Sequence, residues 1–197
     1  LEAARVAGAE AAEIVRALNF RRFAGWPSGY LGRLALAERR YADAVSLYER
    51  ACTEQGPHND GVLMALEGDL AQALVKAGEP AKALAATRRA VALHEAKGLA
   101  WLDGMDPPVL WWRHAQALAA NRRHAEAASA LTKAYGFLVD HNAQLGDEGL
   151  RRNALNKVEE TRELLAAWVS HARRKRLSKA KREAHLAGNI NLSEAFE

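Results

Sequence analysis

The residues of this chain that could do chemistry are few, and most of them fail on spacing. "HEAKG" (94–98) opens as a zinc-protease helix would, but Gly98 stands where the second ligand must be, and one histidine cannot hold a zinc ion. His114 and His124 straddle a turn between two helices, and His114 reads as a satisfied histidine at a helix-packing position rather than half of a metal pair. Cys52, the single cysteine, lies between Ala51 and Thr53 on an apparent helix, where a small buried hydrophobe is the reading favoured over a nucleophile. One cysteine also excludes an internal disulfide framework and suits a reducing cytoplasm. No G-x-x-x-x-G-K-[ST] occurs, and no G-x-G-x-x-G opens a βα unit, so neither phosphate-cradling loop is present. Asp147 and Glu148 read as first-turn acids of a final helix, favourable to its dipole. The expectation is therefore no catalytic residue, no metal, no cofactor and no enzyme within this chain.

Two features remain: the adjacent pair Trp111 and Trp112, and the basic run "HARRKRLSKAKREAHL" (171–186). Residues 171–197 carry seven Lys/Arg (Arg173, Arg174, Lys175, Arg176, Lys179, Lys181, Arg182) against three acids, a balance of seven minus three that equals the whole net charge of +4. The body is thus neutral and the tail basic, so overall basicity says little about the body's partners. Clustered Lys/Arg would suit phosphate contact with nucleic acid or an anionic surface. Against that, no aromatic is interleaved and no groove-reading motif surrounds the run. Leu177, Leu186, Ile190 and Phe196 suggest an amphipathic helical linker or coiled coil, and a disordered tail is the third reading. Ser193 could cap a restarted helix.

The elements that must position these residues are all helical. Ala, Leu, Glu, Arg and Lys dominate and no alternating β-branched run occurs. Breakers fall at 25–29, 55–60, 77–80, 97–108 and 145–149 and leave helices of roughly 12–20 residues. No apolar run approaches the roughly 20 residues of a membrane span, and no contact with a membrane is expected. The start, "LEAARVAGAEAAEIVRAL", is amphipathic and acidic rather than a signal peptide. It lacks an initiator Met and begins in mid-helix, so a fragment of a longer protein is expected.

Three stretches align: 30–51, 69–90 and 113–134, each a helix, a tight turn and a second helix. The second helices carry Ala44 and Ala51, Ala83 and Ala90, Ala127 and Ala134, with Tyr48, Thr87 and Leu131 between them. Gly32, Ala71 and Ala115 stand at the matching position of the first helices. Two helices approach closely only where a small side chain faces a larger one, and such a pair must stack on neighbours to bury its apolar face.

These residues resemble the tetratricopeptide repeat (TPR) over residues of about 25–135. The resemblance implies an all-α fold of antiparallel helix pairs stacked into a right-handed superhelix. The pairs would span about 25–54, 61–97 and 108–142, followed by a capping helix of about 147–169 and a basic linker or coiled coil over 170–197. Residues 1–24 would close a preceding repeat. The spacings, 39 residues from Ala44 to Ala83 and 44 from Ala83 to Ala127, exceed the family's 34, so longer helices or loops must absorb the excess. A narrower resemblance links Trp112, His114, Ala115, Leu131, Ala134 and Tyr135, then Leu150, Arg151, Arg152, Leu155, Val158, Arg162 and Trp168, to the C-terminal TPR module of large bacterial regulators that carry STAND-type ATPase, kinase or cyclase domains.

The family's groove positions fall on Trp26, Gly29, Arg33 and Leu36, on Ala65, Gly68, Asp69, Gln72 and Lys76, and on Val109, Trp112, Arg113, Gln116 and Ala119. Gly29 and Asp69 stand where a carboxylate clamp needs donors, so that clamp is not expected. Trp26, Arg33, Gln72, Lys76, Trp112, Arg113 and Gln116 are the candidate partner-binding residues, with solvated polar side chains as the competing reading. Adjacent helical residues point about 100° apart, so the two tryptophans cannot serve one pocket. In the repeat register Trp111 faces its partner helix with Ala115 and Leu118. Trp112 faces the groove or the preceding repeat. The resemblance implies a cytoplasmic scaffold that binds a protein or peptide, or itself as a homodimer through the tail. The alternative is a nucleic-acid adaptor using the basic tail.

Overall fold

A computed structural model describes residues 2–186, across which ten helices follow one another. They are α1 (Glu2–Ala17), α2 (Trp26–Ala37), α3 (Tyr41–Gln55), α4 (Asp60–Lys76), α5 (Pro80–Ala96), α6 (Pro107–Ala120), α7 (His124–Gln144), α8 (Glu148–Asn156), α9 (Glu159–Arg174) and α10 (Lys179–Arg182). Most pack as sequential antiparallel pairs: α2 on α3, α4 on α5, α6 on α7. The small-against-large positions are where these pairs close. Gly32 presses on the Tyr48 ring so tightly that a Cβ there would stand 3.1 Å from it. Ala71 and Thr87, and Ala115 and Leu131, are buried at the corresponding places. Successive pairs also touch through their first helices, with α4 on both α2 and α6 and α9 on α6. One buried apolar cluster therefore runs from Ala35 to Ala172.

A single turn type joins the two helices within each of the three pairs. In each connection a residue enters the left-handed region, and two N–H groups reach back to orphan carbonyls of the helix just ended. The residues are Arg39 (φ 60), Gly78 (φ 80) and Arg122 (φ 60). The outer bonds are Arg40 N–H to Ala35 O (2.9 Å), Glu79 N–H to Leu74 O (2.8 Å) and Arg123 N–H to Leu118 O (3.0 Å). The same turn follows α9, with Arg176 at φ 54 and Leu177 N–H to Ala172 O at 3.0 Å.

The excess spacing between the aligned stretches has two sinks. A 3-10 turn (Gly56–His58) separates α3 from α4, and α4 and α5 are each 17 residues long. The loop over 97–106 takes up the rest. It lies over the start of α4, where a Cβ on Gly61 would collide with the Asp103 carbonyl. Arg22–Asp103 (2.7 Å) and Lys97–Asp60 (2.6 Å) pin it at the surface. Nearby, buried Gln55 accepts from Gly25 N–H (3.2 Å) and donates to Arg22 O (3.1 Å), tying the 3-10 turn at Arg21–Phe23 to α3.

Three expectations about the C-terminal part meet a different arrangement. A single capping helix over 147–169 is instead two helices, because Lys157 ends α8 and Val158 is extended (φ −85, ψ 117) at the start of α9. Asp147 is the cap of α8 rather than a first-turn acid, its Oδ1 accepting from Leu150 N–H at 2.7 Å. Of the expected linker or coiled coil over 170–197, residues 187–197 lie outside the described residues, and the part up to 186 is not one continuous helix. It turns at Arg176 and folds back so that residues 184–186 pack on α7. His185, 1% exposed, sits against the Tyr135 hydroxyl (Nδ1 to Oη, 2.8 Å), and Asn142 Nδ2 donates to its carbonyl (2.9 Å). Trp168, stacked on Tyr135 at 4.0 Å, donates from Nε1 to Arg182 O. Ile190, Ser193 and Phe196 lie outside the described residues. Among the described residues no helix is long and apolar enough to cross a membrane.

Candidate functional site

The first helices of the three pairs lie side by side, and a groove runs along them. Its near end is a cavity of about 140 Å³ between α2 and α4, bordered by Trp26, Tyr30, Arg33 and Asp69. A second cavity of about 240 Å³ shares Arg33 and Asp69 and extends to Met105, Val109, Arg113 and Glu160. Trp26 is held in an aromatic row, its ring 4.3 Å from Phe23 and 6.1 Å from Tyr30. Arg33 donates from Nη2 to Asp69 Oδ2 at 3.1 Å across the gap between α2 and α4. The Asp69 carboxylate pushes the Arg33 guanidinium above its ordinary pKa, so it stays charged. Its side chain is 64% exposed, leaving donor capacity toward solvent.

Arg113 differs. Its side chain is 2% exposed, and α9 supplies its counter-charges, Glu160 at 3.5 Å and Glu163 at 3.7 Å. Gln116 Oε1 accepts from Nη1 at 3.2 Å, while Nε has no hydrogen-bond partner among the described residues. Glu163 also accepts from Trp112 Nε1 (3.3 Å) and from Gln116 Nε2 (3.5 Å). The third stretch of the expected groove is therefore lined with a helix of the same chain. Trp26, Arg33 and Arg113 border the groove, whereas Trp112 and Gln116 line a separate cavity between the α6–α7 pair and α9. Gln72 and Lys76 lie farther along α4, half-buried and exposed respectively. In the tail, Arg173, Arg174, Lys175, Arg176, Lys179 and Lys181 are exposed and Arg182 is half-buried, and Arg174 borders the Trp112 cavity.

Trp111 is 5% exposed and fastens α6 to the helices behind it. Its Nε1 donates to His94 Nδ1 at 3.0 Å, and the Lys133 ammonium lies 3.7 Å from the centre of its ring. His94 Nε2 lies 3.1 Å from Ala100 O, which assigns the proton to Nε2 and leaves a neutral ring. Burial holds its pKa below the ordinary histidine value. His114 is likewise depressed by burial, and its Nδ1 meets the Thr87 hydroxyl at 2.9 Å. Cys52 is half-buried, and burial followed by the Glu67 charge pushes its thiol up to about 12, far from a thiolate nucleophile at neutral pH. Among the described residues no group of three His, Cys, Asp or Glu is placed to hold a metal ion. The groove presents paired cations and anions, aromatic faces and hydrogen-bonding side chains.

Sequence reasoning missed Glu160 and Glu163. The available signal was their i, i+3 spacing at the start of a helix, which matches the i, i+3 spacing of Arg113 and Gln116. It also missed Gly104 and Met105, which reach the groove only because the 97–106 loop folds over α4. Compared with known proteins, the chain matches no family model and no curated protein.

Proposed function

We propose that this chain is a protein-interaction module, a TPR-like α-solenoid that holds an extended peptide or partner segment along the first helices of its pairs. The observation that carries this reading is the shared groove, in which Trp26 and Tyr30 at one end meet the open Arg33–Asp69 pair. An extended backbone presents alternating donors and acceptors, and a mixed groove of exposed Arg and partly buried Asp can satisfy both. Three antiparallel pairs joined by one repeated turn, with contacts between successive first helices, support the solenoid. Such a module suits signal relay inside a larger cytoplasmic bacterial regulator.

The test is selection of peptides from a random displayed library against the full chain, followed by affinity measurement on Arg33→Glu and Lys76→Glu. Arg33→Glu is expected to weaken selected peptides about tenfold or more with an unchanged melting temperature. Peptides that bind the variant equally well place the site elsewhere. Arg113→Glu is unsuitable, since it would strand an acid in a buried site. The nucleic-acid alternative rests on the exposed tail cations. Binding to random-sequence DNA that falls steeply with salt and disappears on Arg173→Glu and Lys175→Glu would favour it over the peptide reading.

A further inference from the structure

The cavity bordered by Trp112 shares no lining residue with the Arg33 cavities and has its own character. It holds about 330 Å³, within the range of small-molecule sites. Its floor is apolar, formed by Ala119, Ala127, Ala128, Leu131 and Ala167 from three helices. One rim carries His124 at the start of α7 and His171 and Arg174 near the end of α9. None of the lining residues is acidic. Two carboxylates on the same helices are already engaged: Glu163 with Trp112, Gln116 and Arg113, and Glu126 with Arg123.

Arg174 donates from Nη1 to Ser170 Oγ at 2.7 Å, and among the described residues it meets no carboxylate. The basic neighbours Lys175 and Arg173 are exposed beside it. The charge of this rim comes from Arg174, and His171 beside it is a neutral hydrogen-bonding group. Burial depresses its pKa first, and then the charges of Arg174 and Lys175 depress it further. An unneutralised cationic rim above an apolar trough selects for a molecule with the opposite charge at one end and hydrocarbon at the other. A neutral chain would leave the rim unused, and a cationic one would be repelled.

From this geometry we infer that the trough between the α6–α7 pair and α9 binds a free medium-chain aliphatic carboxylate. The acid head lies at Arg174 with His171 and His124, and the chain lies along the alanine floor toward Trp112. The site is independent of the peptide groove, and either can fail without the other.

The probe is decanoate, below its micellar concentration, titrated into the full chain by calorimetry and by tryptophan fluorescence. Saturable binding is expected, with a fluorescence change that disappears in Trp112→Phe while the heat remains. Shortening the probe to octanoate and hexanoate should weaken binding by about fourfold per methylene. Decanol and decyltrimethylammonium should each bind at least about tenfold more weakly than decanoate. Arg174→Glu should cost decanoate a similar factor and leave decanol unaffected. Ala119→Trp, placed at an exposed position, should block all of the ligands by filling the trough, with its melting curve serving as the folding control. Decanol binding as well as decanoate, equal affinity across chain lengths, or wild-type affinity in Arg174→Glu would each overturn the inference. So would an absence of saturable binding to the wild type.

Discussion

The groove contains two arginines that face carboxylates, and they sit at opposite extremes of solvent contact. Arg33 at the near end is 64% exposed and pairs with Asp69 of the next first helix. Arg113 at the far end is 2% exposed and is enclosed by Glu160 and Glu163 of α9. Both belong to first helices, so position within a pair does not explain the contrast. What differs is the neighbour: Arg33 borders a cavity between α2 and α4, whereas α9 sets two carboxylates against Arg113. An ion pair in water is worth little and stays available to a ligand, whereas a buried one becomes a structural obligation. The near end therefore keeps an ion pair open to solvent, and at the far end the ion pairs are part of the fold.

The contrast can be broken most severely at the far end. Replacing both Glu160 and Glu163 by Gln leaves the Arg113 guanidinium buried without a counter-charge, and a loss of about 3 kcal/mol in chemical denaturation is expected. A loss under 1 kcal/mol would show that α9 closes the groove by packing alone. Acid comes next. His185 is held neutral in the fold, its pKa lowered by burial to about 4 from the ordinary 6.5. Its contribution is fully present above pH 6.5, because the unfolded chain takes up the proton first. It is lost progressively as pH falls from 6.5 toward 4, amounting to about 2–3 kcal/mol. His94 and His114, also depressed by burial, add to the same slope. Stability measured between pH 7 and 4 should therefore fall, and His185→Gln should flatten the curve. An unchanged slope would move its origin to the other histidines.

At the open end, Asp69→Asn should cost under about 1 kcal/mol in the same denaturation assay while weakening any peptide that uses Arg33. A cost equal to that of the α9 double variant would erase the contrast. The smallest effect is expected in the turns. Arg39 and Arg122 occupy left-handed backbone that glycine adopts freely, so Arg122→Gly should raise stability by a few tenths of a kcal/mol, offset partly by glycine's unfolded-state entropy. A calorimetric melt resolves the sign.

How much of this the sequence disclosed depends on the range of the interaction. The helix pairs were legible because Gly32 and Tyr48, or Ala115 and Leu131, recur at fixed offsets within a short stretch. The division of labour between Trp111 and Trp112 followed from the 100° step of a helix, and Trp111 is indeed the buried one. The break at Lys157–Val158 carried no Gly or Pro to announce it. The reversal after Arg174 was hidden for a different reason. A run dense in Lys and Arg reads as solvated, yet it contains buried His185, whose partners Tyr135 and Asn142 lie more than 40 residues upstream. The carboxylates that enclose Arg113 were out of reach of local reasoning for the same cause, since they too lie more than 40 residues away.

That separation has a kinetic meaning. The pairs α2–α3, α4–α5 and α6–α7 close over short loops, so they can form early and independently of one another. The clasp of His185 on Tyr135 closes a loop of 50 residues and has nothing to hold until α7 and α9 are in place. It belongs on the unfolding limb of a chevron plot, where substitutions at Tyr135 or His185 would speed unfolding and leave the folding rate nearly untouched. In hydrogen exchange, the amides of residues 177–186 should open well below the global free energy, making this clasp the segment that yields first when the chain is pulled from its C-terminal side.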